Sequence, residues 1–452
     1  SQCARANTLV NTYKYSSASD YASYPNFSAE LKEQLTQAMN EMESITDAKE
    51  KYALVLKFSE LFQQVYECKK AYVNLMAQSE DLAEMLFVME ELLNDEQKAE
   101  INTMMDKLIV MYEEATTSVE DANKNYIRDL SFALQIENNV CEINSALDLA
   151  MFAFEVNNGN NSIDAVLKTD IENYTGPVIA TSTLYYAGTF DGQYHTINYT
   201  STPTEPRWGL FRTLSGTIKN LHVSGTLNTN VNQCGGLVGF IYSAVVQNCI
   251  SSVDIITTYS GDAGTGGLVA TNMENSLIKD CVFSGTIQGA EAYSCAGLVG
   301  WTAAAGSTTL TNCLVVGDIS TKEKDGNVIA RNPSKVTRNN CYYLKPYSSI
   351  PNDITQVTEE ALASGEVCYL LNGDQSNIQW TQLLGEDNMP KPFPGAKVGL
   401  NENGVYYNLE DAIESIDAEE IKTNEIFNLM GQKVAKVGKG IYIVNGKKVL
   451  FK

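Results

Sequence analysis

The sequence predicts a multi-domain protein: an α-helical bundle over residues 1–140, a parallel β-helix over 141–396, and a small β-sandwich-like domain over 397–452. Three observations support this division. All 31 glycines lie at or beyond Gly159, and nine of the 12 methionines precede it. Short phrases recur about every 30 residues between positions 209 and 343. The last 32 residues contain seven lysines and one glutamate, in a chain that is otherwise acidic.

The first part is predicted to be helical because Gly and Pro, which are costly inside helices, are almost absent from it. Apolar residues recur in steps of three and four, as in Leu54, Phe58, Leu61 and Val65, which is typical of an antiparallel bundle or coiled coil. Asp47 and Asn94 each begin a capping-box spacing. We expect four helices, over about 28–44, 48–77, 80–93 and 95–125. The acidic surface is interpreted as a solvated face.

The second part repeats three phrases in phase. They are Gly-Leu-Val at 236, 267 and 297, Asn/Asp-Cys at 248, 280, 312 and 340, and a Ser-Gly-Thr-like phrase at 224, 252, 284 and 316. A fixed period of this length predicts a solenoid, because each unit is too short to own a core and must stack on its neighbours. Within one unit we expect strands over 236–241, 245–252 and 253–258.

Stacking gives the cysteines and asparagines their predicted roles. Equivalent residues should lie over one another, so we expect Cys249, Cys281, Cys313 and Cys341 to form an interior column. They are interpreted as free thiols, because parallel neighbours in register have poor geometry for disulfides. Cys234 and Cys295, two coils apart, should likewise not bond. The Asn/Asp residues that precede the four column cysteines are predicted to form a ladder of turns.

These phrases resemble the GLUG-motif repeat of bacterial surface and secreted proteins, which implies a right-handed β-helix. Residues 186–197 resemble the coil that often precedes such repeats, and residues 357–394 resemble the segment that often closes them. The resemblance covers about 185–395. Similar repeats occur in some bacterial proteases, but the chain has no metal-binding helix motif.

The C-terminal part has two alternating segments, 426–434 and 440–449, and the hairpin turn Asn445-Gly446. Residues 400–452 resemble the C-terminal sorting domain of Bacteroidetes proteins that are exported by type IX secretion. This resemblance implies a small β-sandwich and an extracellular or cell-surface location. The alternative is a structural cap for the solenoid.

Composition argues against several functions. The formal net charge of −23 disfavours nucleic acids and anionic membranes as partners, and no apolar stretch is long enough for a transmembrane span. The chain has two histidines, His195 and His222, both interpreted as structural. No HExxH, GxSxG or phosphate-binding loop is present, so we expect no metal and no cofactor.

Four residues are candidates for binding: Tyr242, Trp301, Asp254 and Asp318. The two aspartates are expected to share one column two coils apart, with Thr286 between them. Strand spacing then puts them roughly 9–10 Å apart, near the upper end of the range for an inverting glycosidase. Aromatic rings on the repeats could stack on sugars, although core packing is the more common role of such residues.

From these features we expect a non-enzymatic, adhesin-like binding protein that presents its β-helix wall to a glycan or a host extracellular protein. The first alternative is a glycosidase or lyase that acts on polysaccharides, with Asp254 and Asp318 as its acid and base. The second is a structural spacer of the cell envelope. These roles rest on analogy with other β-helices.

Overall fold

The computed structural model describes residues 33–34, 37–38, 40–41, 44–114, 117–322, 327–331, 333–347, 350–351, 353–409, 413–415, 426–429, 432–434, 438–444 and 447–451. Two compact units are present. One comprises residues 1–158 with 175–177, and the other comprises 159–174 with 178–452. Among the described residues, no helix has the length and apolar character needed to cross a membrane.

The first unit contains the long helix Ala48–Val88, the helix Asp95–Glu114 and the short helix Val119–Ala122, followed by a 3₁₀ turn Tyr126–Asp129. Strands Ile136–Glu137 and Val140–Ile143 form an antiparallel pair before the helix Ala146–Asn157. Both predicted capping boxes begin helices: Asp47 accepts from two backbone amides, and Asn94 and Gln97 bond reciprocally. Most of the predicted helix 28–44 lies outside the described residues.

Two predicted helix boundaries are wrong. The expected break near Ser79 does not occur, because Ser79 is buried within a continuous helix. A serine can end a helix but does not force it to end, and no Gly or Pro follows it here. The predicted helix 95–125 instead stops at Glu114 and resumes at Val119, where Ser118 caps the new start by accepting from the amide of Asp121.

The second unit is a parallel β-solenoid of about seven turns, as the repeat predicts. Three walls of stacked strands enclose its core. Wall A consists of Asp164–Leu167, Thr189–Asp191, the first parts of Thr217–Thr229 and Val245–Thr257, Ser276–Lys279, Thr308–Thr311 and Val336–Asn339.

Wall B follows wall A after a turn in each coil. It consists of Ile171–Tyr174, Thr196–Ser201, the remainders of the two long strands, Val282–Phe283 with Thr286–Gly289, Leu314–Val315 with Asp318–Thr321, Tyr342–Tyr343, and Thr355–Gln356. Wall C consists of Phe211–Leu214, Val238–Ile241, Val269–Asn272, Ala296–Thr302 and Asn327–Arg331. A minor parallel pair joins Gly261–Asp262 and Ala292–Tyr293.

The strand register confirms the predicted cysteine column. Ile250 pairs with Val282, Val282 with Leu314, and Leu314 with Tyr342, so the cysteine before each of them lies over the next. All four thiols are buried and free. Each thiol donates a hydrogen bond to the backbone carbonyl of the residue two positions earlier in the sequence, at sulfur–oxygen distances of 3.2–3.4 Å.

The predicted Asn/Asp ladder is also present at the corner between walls A and B. Its members Asn248, Asp280, Asn312 and Asn340 have φ between 51° and 53°, a left-handed conformation that Asn and Asp tolerate better than most residues. The Asn312 side chain donates to Asp280 at 2.9 Å, and the Asn340 side chain donates to Asn312 at 3.0 Å. These two bonds join the coils of Asp280, Asn312 and Asn340 at the corner.

Residues 353–409, called the closing segment below, add the strand Thr355–Gln356 to the end of wall B and then cover the outside of that wall. They contain the helices Glu359–Ala363 and Glu366–Asn372 and the antiparallel pair Val398–Leu400 and Tyr406–Asn408. One apolar cluster joins the segment to the outward-facing wall residues Ile250, Val282, Leu314 and Tyr342. Its largest member, Trp380, is fully buried and donates from Nε1 to Asp280 Oδ1 at 3.2 Å.

Near the C-terminus, the described residues form a four-stranded sheet from Ile413–Ser415, Ile426–Phe427, Gly440–Val444 and Lys447–Phe451. Gly440–Val444 and Lys447–Phe451 pair in antiparallel fashion, as predicted for a hairpin. The predicted turn residues Asn445 and Gly446 lie outside the described residues. Val444 and Val449 form the small buried core of this sheet.

Candidate functional site

The four candidate residues fall on two different walls of the solenoid. Tyr242 and Trp301 belong to wall C or its edge, whereas Asp254 and Asp318 belong to wall B. The structure therefore does not bring the aromatic and acidic candidates together in one site. The aromatic pair and the acidic pair belong to two separate surfaces of the solenoid.

The aromatic surface is a cluster of three rings, here called the Tyr242 platform: Tyr185, Phe240 and Tyr242. The Tyr185 ring centroid lies 6.0 Å from both of the others. Tyr242 is 44% exposed, so its ring is available to a ligand. The Arg207 guanidinium lies 4.6 Å from the centroid of the Phe240 ring and adds a cation–π contact to the cluster.

The carboxylate of Glu274 lies near the exposed ring of the platform, and its hydrogen-bonding and negative charge raise the pKa of the Tyr242 hydroxyl. Trp301 lies two coils further along the same column of wall C, since Phe240 pairs with Thr271 and Thr271 pairs with Trp301. Two strand spacings place the Phe240 and Trp301 positions roughly 10 Å apart. Because Phe240 and Thr271 are buried, the Tyr242 platform does not continue as an exposed surface to Trp301.

The acidic pair lies in one column, as predicted: Asp254 pairs with Thr286, and Thr286 pairs with Asp318. Thr286 donates its hydroxyl hydrogen to Asp254 Oδ1 at 2.8 Å. The column is therefore confirmed. A catalytic role for the two aspartates stays a prediction.

A cleft of about 610 Å³ lies between wall B and the closing segment. Its volume is in the usual range for small-molecule sites. Asp318 and Thr286 line it, whereas Asp254 does not. The remaining lining residues are Ser284, Gly285, Val316, Gly317, Leu344, Lys345, Glu359, Leu362, Ala363, Asn388 and Met389. The cleft thus combines an apolar side with hydroxyl, carboxylate and ammonium groups.

Sequence reasoning missed a polar cluster that contains both histidines of the chain. His222 Nε2 lies 2.7 Å from Ser252 Oγ, and His222 Nδ1 lies 3.2 Å from Thr196 Oγ1. Asp170 lies beside them, bonding to His195 Nδ1 at 3.0 Å and to the amide of Thr196 at 2.8 Å. The repeat carried no direct signal for this contact, since His222 pairs with Ile250 and Ser252 lies two residues further along the strand.

Two groups of this cluster have shifted pKa values. The amide of Thr196 and the bond from His195 lower the pKa of Asp170, against a smaller opposing effect of burial. Burial lowers the pKa of His222, and the charge of Lys391 acts in the same direction. Asp170 opposes that effect by favouring the protonated ring. The net result is a His222 imidazole that stays neutral at lower pH than an exposed histidine.

In the part of the chain that the structure describes, no three His, Cys, Asp or Glu residues are grouped so that they could hold a metal ion. Eight cysteines, from Cys141 to Cys368, are buried and form no disulfide.

Comparison with known proteins gives one structural likeness. No family model matches the chain, and no curated protein matches it. A solved structure from Bacteroides ovatus, described as a "putative immunoglobulin A1 protease", is similar at 14% identity with a TM-score of 0.36. The match covers 56% of this chain and 91% of that chain.

Proposed function

We propose that this chain is an adhesin-like binding protein whose solenoid presents the Tyr242 platform to a glycan. The observation that carries the proposal is the exposed Tyr242 ring, which packs edge-on against Tyr185. A flat aromatic ring can stack on the apolar face of a sugar, and the neighbouring charged groups can bond its hydroxyls. A rigid wall of stacked coils suits an extended ligand.

Screening the purified protein on a glycan array, followed by calorimetry with the best ligand, tests this proposal. We expect Tyr242→Ala to weaken binding about tenfold, since one aromatic contact contributes roughly 1 kcal/mol. Tyr242→Phe keeps the ring and should retain most of the affinity.

The control is Tyr407→Ala, which removes a similarly exposed ring from the closing segment. This variant should bind like the unaltered protein. If Tyr242→Ala and Tyr407→Ala bind equally well, the platform is not the glycan site. If neither glycans nor extracellular host proteins bind at all, the spacer function is favoured.

A glycosidase or lyase is the second candidate function, because Asp318 lines a cleft of ligand size and shares its column with Asp254. If this function holds, Asp318→Asn and Asp254→Asn should each reduce polysaccharide turnover at least a hundredfold. Asp374→Asn, in an exposed turn of the closing segment, is the control. Unchanged turnover in the Asp318 variant would eliminate this candidate.

We propose that the protein is exported to the cell surface. Two resemblances support this location: that of residues 400–452 to a sorting domain and that of the repeats to the GLUG motif. Digesting intact producing cells with an external protease tests it. The full chain should be degraded, whereas a chain that ends at residue 396 should stay protected inside. Protection of both chains would contradict the proposed location.

A further inference from the structure

The contact between His222 and Ser252 has the geometry of a base and a nucleophile. The 2.7 Å distance from Nε2 to Oγ lies within the range at which a histidine can take a proton from a serine. Both side chains are partly exposed on the outer face of wall B. The contact joins neighbouring coils, since Ile250 pairs with His222 and Ser252 follows two residues later.

Ser252 differs from its equivalents in the neighbouring coils. Ser224 and Ser252 pair directly in the register, and Ser284 is the next member of the column. The Ser224 hydroxyl accepts from the Asn198 amide at 3.0 Å, so its neighbour is a hydrogen-bond donor and not a base. Ser224 is therefore a natural control for Ser252.

The contacts of His222 are compatible with the tautomer that a base requires. Its Nδ1 faces the Thr196 hydroxyl at 3.2 Å, so a hydrogen on Nδ1 can be donated there while Nε2 accepts from Ser252. The Ser252 hydroxyl has a second, longer acceptor in the Val223 carbonyl, at 3.4 Å. Asp170 fixes the backbone of Thr196 by accepting from its amide. Burial keeps the ring neutral. This chain of contacts holds the imidazole in position, with a hydroxyl where many serine hydrolases have a carboxylate.

The cleft between wall B and the closing segment comes within one coil of Ser252. Ser284, one coil from Ser252, lines the 610 Å³ cleft together with Asn388 of the closing segment. Lys391, on the same segment, is close enough for its charge to act on His222. An acyl compound bound in the cleft could therefore extend toward Ser252.

We infer that Ser252 is a nucleophile, activated by His222, which accepts an acyl group from a carboxylic ester. Ser252 Oγ bonds to the ester carbonyl carbon as its proton passes to His222 Nε2, and the ester C–O bond then breaks. The proton passes to the departing alkoxide and gives an alcohol. Water then hydrolyses the acyl-serine with His222 again as the base, and a carboxylic acid is released. This activity goes beyond the proposed glycan binding and does not depend on it.

Esters are favoured over amides by the same geometry. A histidine that is oriented by a threonine hydroxyl receives less stabilisation of its charged form than one oriented by a carboxylate. It is therefore a weaker catalyst for expelling an amine, which must be protonated as it leaves. An alkoxide is a better leaving group than an amine anion, so ester cleavage depends less on proton donation by His222.

Labelling with a biotinylated fluorophosphonate, followed by mass spectrometry of the labelled peptide, tests the inference on the full chain. We expect the label on Ser252. Ser252→Ala should abolish it, His222→Gln should slow it at least tenfold, and Ser224→Ala should leave it unchanged. Hydrolysis of p-nitrophenyl acetate should follow the same order.

Circular dichroism and a thermal melt of each variant show whether it has folded. Failure of the unaltered protein to react with the fluorophosphonate would overturn the inference, as would label that persists in folded Ser252→Ala. Glycan binding is measured separately in both Ser252→Ala and Tyr242→Ala. The outcome for Ser252 is thereby distinguishable from the outcome for the platform.

Discussion

At the scale of single residues, His222 links the stability of the solenoid to pH. Burial lowers its pKa below the ordinary value of 6.5, with the charge of Lys391 adding to the effect and that of Asp170 opposing it. The unfolded chain therefore binds a proton at a higher pH than the folded chain does. It follows that the contribution of His222 to stability is complete above about pH 6.5 and decreases as the pH falls through that value.

We predict that the free energy of unfolding decreases more steeply between pH 7.5 and pH 5 in the unaltered protein than in His222→Gln. The difference in slope cannot exceed about 1.4 kcal/mol per pH unit, the limit for a single proton. Urea unfolding followed by circular dichroism at several pH values measures it. Parallel curves for the two proteins would contradict the prediction.

At the scale of elements, the contact between the closing segment and wall B is centred on one large side chain. Trp380 is fully buried in the apolar cluster that joins the two, and its indole bonds to the buried carboxylate of Asp280. Asn248 and Asn340 of the same ladder also bond to the segment, through Gln379 and the carbonyl of Leu370. The ladder residues thus form the turns between walls A and B and also make hydrogen bonds to the closing segment.

We predict that Trp380→Ala lowers the free energy of unfolding by about 3–5 kcal/mol, the usual cost of truncating a buried tryptophan. Trp380→Phe should cost less, about 1–3 kcal/mol, because it keeps much of the apolar contact and loses the bond to Asp280. Urea unfolding measures both changes. Limited proteolysis should cleave residues 353–409 earlier in Trp380→Ala.

Tyr407→Ala is the matched control for Trp380→Ala, since it removes an exposed ring from the same segment. Its stability and its proteolysis pattern should be those of the unaltered protein. Equal stability of Trp380→Ala and Tyr407→Ala would show that the segment is not held through the cluster.

The sequence predicts contacts well where the repeat length encodes them. Cys249 and Cys281 are 32 residues apart and lie in neighbouring coils, as the spacing requires. The bond from Trp380 to Asp280 spans 100 residues outside the repeat, so no periodicity indicates it. The contact between His222 and Ser252 was missed because it is diagonal: the register pairs His222 with Ile250, and the hydrogen bond to Ser252 depends on side-chain direction as well.

The candidate site shows the same limit. The repeat correctly placed Asp254, Thr286 and Asp318 in one column. It did not show that the closing segment would border Asp318 and leave Asp254 outside the cleft. Likewise, Tyr242 gains its exposed platform from Tyr185, which lies before the repeats that contain Tyr242. The aromatic surface depends on tertiary contacts that one repeat unit does not contain.

At the scale of the whole molecule, the cysteines can show whether the coils of the solenoid are stacked, because stacked coils keep these thiols buried. The chain has ten cysteines, and the eight that are described as free are all buried: Cys141, Cys234, Cys249, Cys281, Cys295, Cys313, Cys341 and Cys368. Burial raises the pKa of Cys234 and Cys295 to about 11, and that of Cys368 to about 12. Burial likewise raises the pKa of Cys281 and Cys313.

A buried thiol reacts slowly because the reagent must reach it, and a raised pKa slows the reaction further because the thiolate is the nucleophile. The bond to Cys313 lowers the pKa of Cys341, so burial alone protects that thiol. We therefore predict that at most two of the ten thiols of the reduced native protein react rapidly with Ellman's reagent at pH 8, and that all ten react in guanidinium chloride. Because coils contact only their neighbours, any opening that exposes the column should expose several of its thiols together. Rapid reaction of four or more thiols in the native protein would contradict a closed stack.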